Sequence, residues 1–378
     1  MLHWRKVVSD GIFSLEFLHR CLRKKSSHGY RGSRVGNNEE GEEQLRLFKS
    51  KGQHLLTNNR VLDSIVRTSS IKPDDIVLEI GPGTGNLTLK LLEAARRVVA
   101  VEIDPRMIDV LRKRAAERGF LERLNVRVFS FIINGDALNV KLPEFNLVVA
   151  NIPYGISSPL LAKLVYGAKV KPFRSATLLL QKEFSRRLLA KPGDSEFNRL
   201  AVNIKLMADV EFVMNVSKRD FVPCPKVDSS VVKIYPKIEV PEVDLNEWWA
   251  FTRTCFSKKN KTLGATFKQK RKLMELMKLS EGSSCVDCSS KSSYYDSSSE
   301  EDEEVVRDGR HGDLIMGFGI DVSSFRKKII SILECGGYLD KRPSKLSNDN
   351  LLQLLFLFNE AGIYFHDRTK PNEACDSS

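Results

Sequence analysis

The chain contains 378 residues, of which 42% are hydrophobic and 29% are charged, which is the composition of a globular protein with two or three domains. No apolar run approaches the roughly 18 residues of a membrane-spanning helix, so we expect no membrane association. The 60 lysines and arginines outnumber the 48 acidic residues, and the net charge of +12 favours a polyanionic partner such as nucleic acid.

The seven cysteines are scattered along the chain, and their odd number argues against a disulfide framework and for a reducing compartment. Cys285 and Cys288 form a single Cys-x-x-Cys pair. A structural zinc ion needs four ligands, and no second pair lies nearby in the sequence. We therefore predict no metal site.

The first 44 residues differ in composition from the rest. Residues 1–38 hold eight basic and two acidic residues with interspersed serines, and apolar residues from Phe13 to Leu22 recur at helical spacing. This composition is typical of an organelle transit peptide, and we predict a mitochondrial protein. The alternative is a disordered basic arm that binds RNA or nuclear import receptors. Other destinations left open for the protein are the nucleus or nucleolus and the plastid.

Residues 45–240 are predicted to form one α/β domain. Strand-like apolar runs alternate with helix-like segments there, which favours a mostly parallel sheet covered by helices. The seven predicted strands span 76–80, 98–103, 125–133, 145–151, 176–181, 210–216 and 230–235. The predicted helices lie near 86–96, 106–118, 158–167 and 183–190.

Residues 241–378 are predicted to form a small all-helical domain. Its expected helices span 245–256, 325–335 and 349–361. Between them, residues 281–304 hold nine serines, eight acids and one lysine. Such a segment has too little apolar surface to fold into an ordered structure. We predict a disordered insertion at about 281–312.

The glycine-rich turn after the first predicted strand indicates a cofactor site. Gly81, Gly83 and Gly85 let a ligand approach the backbone closely, and the following helix offers free amide donors. The dinucleotide fingerprint needs its third glycine at position 86, which is Asn86, and the phosphate-binding loop needs a Lys-Ser/Thr pair that is missing. The spacing thus disfavours both a nicotinamide enzyme and an ATPase.

Two acidic residues follow at the ends of the next strands. Glu102 is placed to accept hydrogen bonds from ribose hydroxyls, and Asp136 from an adenine amine. Together with the glycines they describe an adenosine-shaped site. Taken alone, Asp136 has a second interpretation as an ordinary solvated turn residue.

The fourth strand ends in Asn151-Ile-Pro-Tyr154. The Asn151 side chain and the carbonyl of Ile152 or Pro153 suit the N6 amine of a flipped adenine, and Tyr154 suits stacking on its face. The alternative is a simple turn that ends the strand.

These motifs resemble those of the small-subunit rRNA adenine N6,N6-dimethyltransferases. The resemblance runs from Lys49-Ser-Lys-Gly-Gln-His54 through the C-terminal region and leaves out the basic N-terminus and the serine-rich insertion. It implies a Rossmann-like class I S-adenosylmethionine methyltransferase with a seven-stranded, mostly parallel sheet and a helical C-terminal domain. The stretches 256–263 and 358–363 resemble the eukaryotic branch, and with the N-terminus they resemble its plant organellar paralogue.

The resemblance also implies roles for individual residues. On the cofactor side it assigns Gln53, His54, Leu56, Gly81, Gly83, Gly85, Glu102, Asp136 and Asn151. Asn151 and Tyr154 are implied to hold the target adenine, and Phe221 in Phe221-Val-Pro-Cys-Pro to stack on its other face. A core phenylalanine is the other interpretation of Phe221. Gly155 departs from many bacterial members, which carry Asn there, and receives no role.

The implied partner is small-subunit rRNA or the pre-ribosomal small subunit, with two adjacent adenines near the rRNA 3′ end as targets of what we expect to be a monomer. Residues 257–272 carry seven basic residues and no acid, which favours phosphate contact. Lys49, Lys51, Arg186 and Arg187 extend this surface, or the two arginines simply line a solvated helix face.

Two other functions remain open at this point. One is a non-catalytic ribosome-assembly or transcription factor that keeps the fold for RNA or DNA binding. The other is an adenine methyltransferase acting on DNA or messenger RNA.

Overall fold

The computed structural model describes Leu47 and residues 53–120, 125–126, 129–130, 132–280 and 322–367. They form two compact units, one ending at Glu242 and one beginning at Val243, here called the sheet unit and the helical unit. The predicted targeting segment, the predicted insertion, Lys49, Lys51 and the Cys285–Cys288 pair lie outside the described residues.

The sheet unit begins with β1 (Leu55–Leu56), α1 (Asn59–Thr68), β2 (Ile76–Ile80), α2 (Asn86–Ala94), β3 (Arg97–Glu102), α3 (Pro105–Glu117), β4 (Asn125–Val126), β5 (Phe129–Ser130) and β6 (Ile132–Asn134). It continues with β7 (Leu147–Asn151), α4 (Ser157–Gly167), β8 (Ser175–Gln181), α5 (Lys182–Leu189), α6 (Arg199–Met207), β9 (Ala208–Val216), β10 (Phe221–Val222) and β11 (Ser229–Pro236). Single 3₁₀ turns span Tyr154–Ile156 and Lys218–Asp220.

The main sheet has seven strands in the order β6-β3-β2-β7-β8-β11-β9. The first five pair in parallel, and β11 runs antiparallel to both of its neighbours. The strands β2, β3, β7 and β8 are almost wholly buried, which is why each is a continuous apolar run. The predicted α/β fold is confirmed.

The strand order places a ligand crevice at one point of the sheet. From β2 the chain builds outward through β3 to β6 and then returns to the other side of β2 as β7. Parallel sheets bind ligands outside the carboxyl ends of the strands where the order reverses in this way. The glycine turn after β2 and Asn151 at the end of β7 lie at this point.

One predicted strand, 125–133, is wrong as a single element. Asn125–Val126 and Phe129–Ser130 form a separate antiparallel pair, and only Ile132–Asn134 joins the sheet beside β3. An apolar run shows that a strand is favoured, but the pairing partner decides where that strand begins. The helices α1 and α6 were not among the predicted elements.

The helical unit contains α7 (Leu245–Cys255), α8 (Leu263–Phe267), α9 (Lys270–Ser280), α10 (Val322–Cys335) and α11 (Asn348–Glu360). Its core is aromatic: the ring of Phe365 lies 5.0 Å from that of Phe251 and 5.3 Å from that of Phe358. The buried Glu247 carboxylate accepts the backbone N–H groups of Phe365 and His366 at 2.8 and 2.7 Å and so fixes the end of the unit. Among the described residues, no helix has the length and apolar character to cross a membrane.

Candidate active site

The glycine turn between β2 and α2 has a backbone that only glycine adopts easily. Gly81, Gly83 and Gly85 have φ angles of 68°, 55° and 86°. A Cβ atom at Gly83 would lie 2.7 Å from the Leu55 side chain, and one at Gly85 would lie 2.4 Å from Leu111. The turn therefore stays close to its neighbours and presents bare backbone on its open side.

A buried carboxylate joins this turn to the end of β3. Glu102 accepts the N–H groups of Gly83 at 3.1 Å and of Ile103 and Asp104 at 3.0 Å each. Its Oε1 takes two of these bonds and its Oε2 takes one. Because a carboxylate offers about four acceptor positions, Oε2 keeps the capacity to accept from a ligand hydroxyl.

The 53–56 segment closes one side of the crevice through three long-range hydrogen bonds. Gln53 Nε2 donates to Asp104 Oδ2 at 2.8 Å, and Asn86 Nδ2 donates to the Leu56 carbonyl at 2.8 Å. Asn151 Nδ2 donates to the His54 carbonyl at 3.2 Å. Arg106 and Gln53 hydrogen bonds hold the pKa of Asp104 well below its usual range, so this anchor is anionic at neutral pH.

A cavity opens at the carboxyl ends of β2, β3 and β7. The predicted site residues that line it are Gln53, His54, Leu56, Gly81, Gly83, Glu102, Asn151 and Tyr154. Others that line it, and that sequence reasoning did not single out, include Glu79, Ile103 and Met107. The structure thus brings together residues as far apart in the chain as Gln53 and Tyr154.

Three predicted site residues do not line this cavity. Gly85 lies beneath the turn against Leu111, where it lets α2 pack closely. Asp136 lies in the turn after β6, whose Gly135 N–H donates to the Glu102 carbonyl at 2.9 Å. Phe221 is only 2% exposed and belongs to the hydrophobic core. Its burial matches the core interpretation, and its stacking role stays a prediction.

The Asn-Ile-Pro-Tyr motif is held in one orientation by its neighbours. The Asn151 amide nitrogen donates to the His54 carbonyl, and the Asn151 side-chain oxygen is therefore left as an acceptor. The Tyr154 hydroxyl lies 2.7 Å from Ser229 Oγ, and its ring is nearly parallel to that of His54, 22° apart with centroids at 6.3 Å. The hydroxyl contact and the half-buried ring fix a flat aromatic surface beside Asn151.

The comparisons with known proteins agree with this geometry. Residues 45–301 match the sequence model of the ribosomal RNA adenine dimethylases. The chain belongs to this family. This dimethylase is an S-adenosylmethionine-dependent rRNA adenine methyltransferase, as its sequence predicts.

Individual relatives are similar over almost the whole chain. The dimethylase is 58% identical to the mitochondrial ribosomal RNA small subunit methyltransferase of Arabidopsis thaliana, over 93% of this chain and 90% of that protein. It is 45% identical to a second Arabidopsis thaliana ribosomal RNA small subunit methyltransferase, over 85% of this chain and 93% of that protein. A crystal structure of a dimethyladenosine transferase from Plasmodium falciparum matches with a TM-score of 0.64 and 36% identity, covering 82% of this chain and all of that one.

The residues around the cavity of the dimethylase suit S-adenosylmethionine, a cofactor with a positive sulfonium and an ammonium group. Two buried carboxyl groups, Glu79 and Glu102, line the cavity and complement positive charge. Glu79 Oε2 has no hydrogen-bond partner within the described part of the chain, so this carboxyl can pair with a bound ligand. The turn of glycines leaves room beside these carboxyl groups.

Glu79 was missed by sequence reasoning, although it is the one acidic residue in the apolar strand β2. Burial raises the pKa of this carboxyl to about 8; the Thr88 side chain opposes the rise, and the nearby Glu102 adds to it. Without a cationic ligand, Glu79 is therefore largely protonated at neutral pH.

We expect Glu79→Gln to remove a pH dependence of stability in the ligand-free dimethylase. The folded carboxyl holds its proton to about pH 8, whereas the unfolded one releases it near 4.5. Between these values the folded state binds more protons, so the free energy of unfolding falls as pH rises, by about 2 to 4 kcal/mol in total. Urea unfolding at about pH 5 and pH 9 measures this loss in the wild type and its absence in the variant.

The exposed Glu93 on α2 offers a matched control, because Glu93→Gln should leave the pH dependence of unfolding as it is in the wild type. An identical pH dependence in wild type and Glu79→Gln would contradict the raised pKa of Glu79.

Proposed function

We propose that this enzyme transfers two methyl groups from S-adenosylmethionine to the N6 atom of each of two adjacent adenines near the 3′ end of small-subunit rRNA. The observation that carries the proposal is one cavity in which Asn151 and Tyr154 stand beside the glycine turn and Glu102. Because the glycine turn with Glu102 and the Asn151–Tyr154 motif are both intact, the alternative of a non-catalytic RNA- or DNA-binding factor is not favoured. The names of the relatives support the small subunit as the target.

The cofactor's parts match successive strand ends. Gly81 and Gly83 would lie beside the methionine portion, the Glu102 carboxylate would accept a hydrogen bond from the ribose, and Asp136 would accept one from the adenine amine. The 53–56 segment covers the site from one side, with its carbonyls held by Asn151 and Asn86. When bound, the cofactor supplies an already activated methyl group.

The protein's own task is to hold and orient the target amine. The N6 lone pair of adenine is delocalised into the ring, which makes it a poor nucleophile. The Asn151 side-chain oxygen and the Ile152 or Pro153 carbonyl accept hydrogen bonds from the N6–H groups. These bonds favour a more pyramidal N6 nitrogen. Tyr154 would stack on the flipped base and restrict its orientation.

We expect Ser229→Ala to slow methyl transfer about 3- to 20-fold while S-adenosylmethionine affinity stays unchanged. Ser229 is fully buried and holds the Tyr154 hydroxyl at 2.7 Å, and one such hydrogen bond contributes roughly 1 kcal/mol or slightly more. Single-turnover methylation and calorimetric cofactor binding measure the two quantities.

Ser230→Ala is the control for this variant, because Ser230 on the same strand bonds to Asn215 instead, at 3.0 Å. An equal loss in both serine variants would show a general effect of β11 rather than a hold on Tyr154.

The helical unit supplies an exposed basic surface for RNA. Lys258 and Lys261, in the stretch predicted to contact phosphates, are exposed near the start of α8. The backbone adds two residues from far along the chain: the Leu263 N–H donates to the Lys341 carbonyl at 2.8 Å, and Arg342 follows. Lys341 and Arg342 are also exposed, and the backbone contact brings the two basic segments together.

The arginines on α5 favour the simpler interpretation. Arg187 pairs with Glu183 and Arg186 with Glu196, the latter at 3.3 Å, and all four side chains are largely exposed or at the border of exposure. Such pairs are typical of a solvated helix face.

Reversing two charges of the basic surface, Lys261→Glu with Lys341→Glu, should weaken rRNA binding about 10-fold or more. The slope of log K against log salt concentration should become shallower by roughly one to two. Cofactor affinity should not change. Filter binding at several salt concentrations measures both effects.

The same reversal at Lys72 and Lys113, two exposed lysines of the sheet unit, is the charge-matched control. Equal weakening by both pairs would assign the effect to net charge instead of to this surface.

We also propose that the protein works in mitochondria. The basic, serine-containing N-terminus and the name of the 58% identical Arabidopsis thaliana relative support this compartment. A fluorescent reporter fused to residues 1–44 should enter mitochondria. Retention of the reporter in the nucleus would contradict the proposal.

The proposed reaction can be tested with the purified chain, S-adenosylmethionine and a small-subunit rRNA fragment that contains the adjacent adenines. Nucleoside mass spectrometry should show N6,N6-dimethyladenosine at both adenines, and none on a DNA fragment of the same sequence. Preferred methylation of the DNA would favour the alternative substrate class, and no product on any fragment would overturn the proposal.

A further inference from the structure

A half-buried lysine ammonium group lies against the turn that carries Asp136. Lys163 on α4 is half-buried, and its Nζ donates to the carbonyls of Ala137, Leu138 and Val140 at 2.9, 3.0 and 2.7 Å. A lysine ammonium has three donors, so this one side chain satisfies three backbone acceptors with its whole capacity.

The three carbonyls belong to a tight turn built around Asp136. The Asp136 carboxylate accepts the Leu138 N–H at 2.9 Å and the Asn139 side chain at 3.0 Å. Its carbonyl accepts the N–H groups of Asn139 and Val140 at 2.9 and 3.0 Å. With the N–H groups turned toward Asp136, the carbonyls of the turn point together, and their negative ends repel unless a cation lies among them.

Lys163 also joins the two halves of the proposed site. Its helix, α4, starts at Ser157, directly after the 3₁₀ turn Tyr154–Ile156 that begins with the last residue of the Asn151–Tyr154 motif. The same helix therefore begins beside the motif proposed to bind the target adenine. Through Lys163 it contacts the turn proposed to bind the cofactor's adenine.

We propose that Lys163 is a positioning residue for the cofactor: by bonding the three carbonyls, it holds the 136–140 turn so that the Asp136 carboxylate faces the cofactor's adenine amine. This inference rests on the proposed adenine role of Asp136. It assigns Lys163 no contact with the cofactor and no part in methyl transfer.

The chain offers a matched residue without this role. Lys205 on α6 is also half-buried, and it donates to the carbonyls of Leu189 and Ala190 at 2.9 and 2.6 Å. It caps the end of α5, where no predicted cofactor-binding residue lies. Removing either ammonium takes the donor away from partly buried carbonyls, so both losses should lower stability similarly.

The test is calorimetric S-adenosylmethionine binding to the full chain and its variants Lys163→Met, Lys163→Arg, Lys205→Met and Asp136→Asn. We expect Lys163→Met to weaken binding about 10-fold or more, Lys163→Arg to recover most of the loss, and Lys205→Met to stay within about 2-fold of the wild type. Steady-state kinetics should show a higher KM for the cofactor in Lys163→Met and a kcat within about 3-fold of the wild type at saturation. Should Lys163→Met fail to fold, Lys163→Gln replaces it, with the same expected loss.

Wild-type affinity in Lys163→Met, or equal weakening in Lys163→Met and Lys205→Met, would overturn the inference. If Asp136→Asn weakens binding and Lys163→Met does not, the inference fails while the proposed site stands. If Asp136→Asn binds as the wild type does, the adenine role of Asp136 fails, and the inference built on it fails as well.

Discussion

Glu102→Ala should abolish measurable S-adenosylmethionine binding, with a rise of at least about 100-fold in the dissociation constant. A hydrogen bond to a charged carboxylate contributes roughly 1.5 to 3 kcal/mol, and this variant removes the acceptor proposed for the ribose. The variant also frees the N–H groups of Gly83, Ile103 and Asp104, which this carboxylate holds at 3.0 to 3.1 Å. Calorimetric titration with the cofactor measures the loss.

Two further variants separate binding from folding. Glu102→Gln keeps the length of the side chain and one acceptor oxygen, so its affinity should lie between those of the wild type and the alanine variant. Glu117→Ala on α3 removes an exposed carboxylate and should bind as the wild type does. A folded Glu102→Ala protein with wild-type affinity would refute the ribose role of this residue.

Asn151→Ala should lower kcat about 100- to 1000-fold and change cofactor affinity only a few-fold. Its side-chain oxygen is the acceptor proposed for the target amine, and the loss of a preorganised hydrogen-bonding group at a reacting atom typically costs this much. The amide nitrogen bonds the His54 carbonyl, whose release explains the small effect on affinity. Single-turnover methylation at saturating cofactor measures kcat apart from binding.

Asn146 provides the control for this variant at the opposite end of the same strand. Its side-chain oxygen accepts the Ile76 N–H at 2.7 Å, so Asn146→Ala should lower stability and leave methyl transfer unchanged. A kcat within about 3-fold of the wild type for Asn151→Ala would contradict the proposed role of Asn151 as acceptor for the target amine.

Much of the fold and the ligand-facing backbone could be predicted because the signals are local. The strand 76–80 was predicted with its observed bounds, since a buried parallel strand is a continuous apolar run that stops at a glycine turn. The positions of Glu102 and Asn151 followed from the same rule, as the first polar groups at the ends of buried strands.

The supporting contacts could not be predicted because their partners are far apart in the chain. Ser229 meets Tyr154 across 75 positions, and Lys163 meets the turn after Asp136 across more than 20. The burial of Phe221 depends on β10 pairing with β1, where Leu56 lies opposite it. No local pattern distinguishes such a phenylalanine from an exposed one, and tertiary pairing decides.

The most direct measurement is nucleoside mass spectrometry of small-subunit rRNA, prepared separately from mitochondrial and cytosolic ribosomes of cells with and without the gene. We expect N6,N6-dimethyladenosine to disappear from the mitochondrial small-subunit rRNA alone when the gene is absent. Loss from the cytosolic rRNA alone would keep the methyltransferase and contradict the compartment. Unchanged N6,N6-dimethyladenosine in both pools, with no second enzyme of this activity present, would contradict the proposed reaction itself.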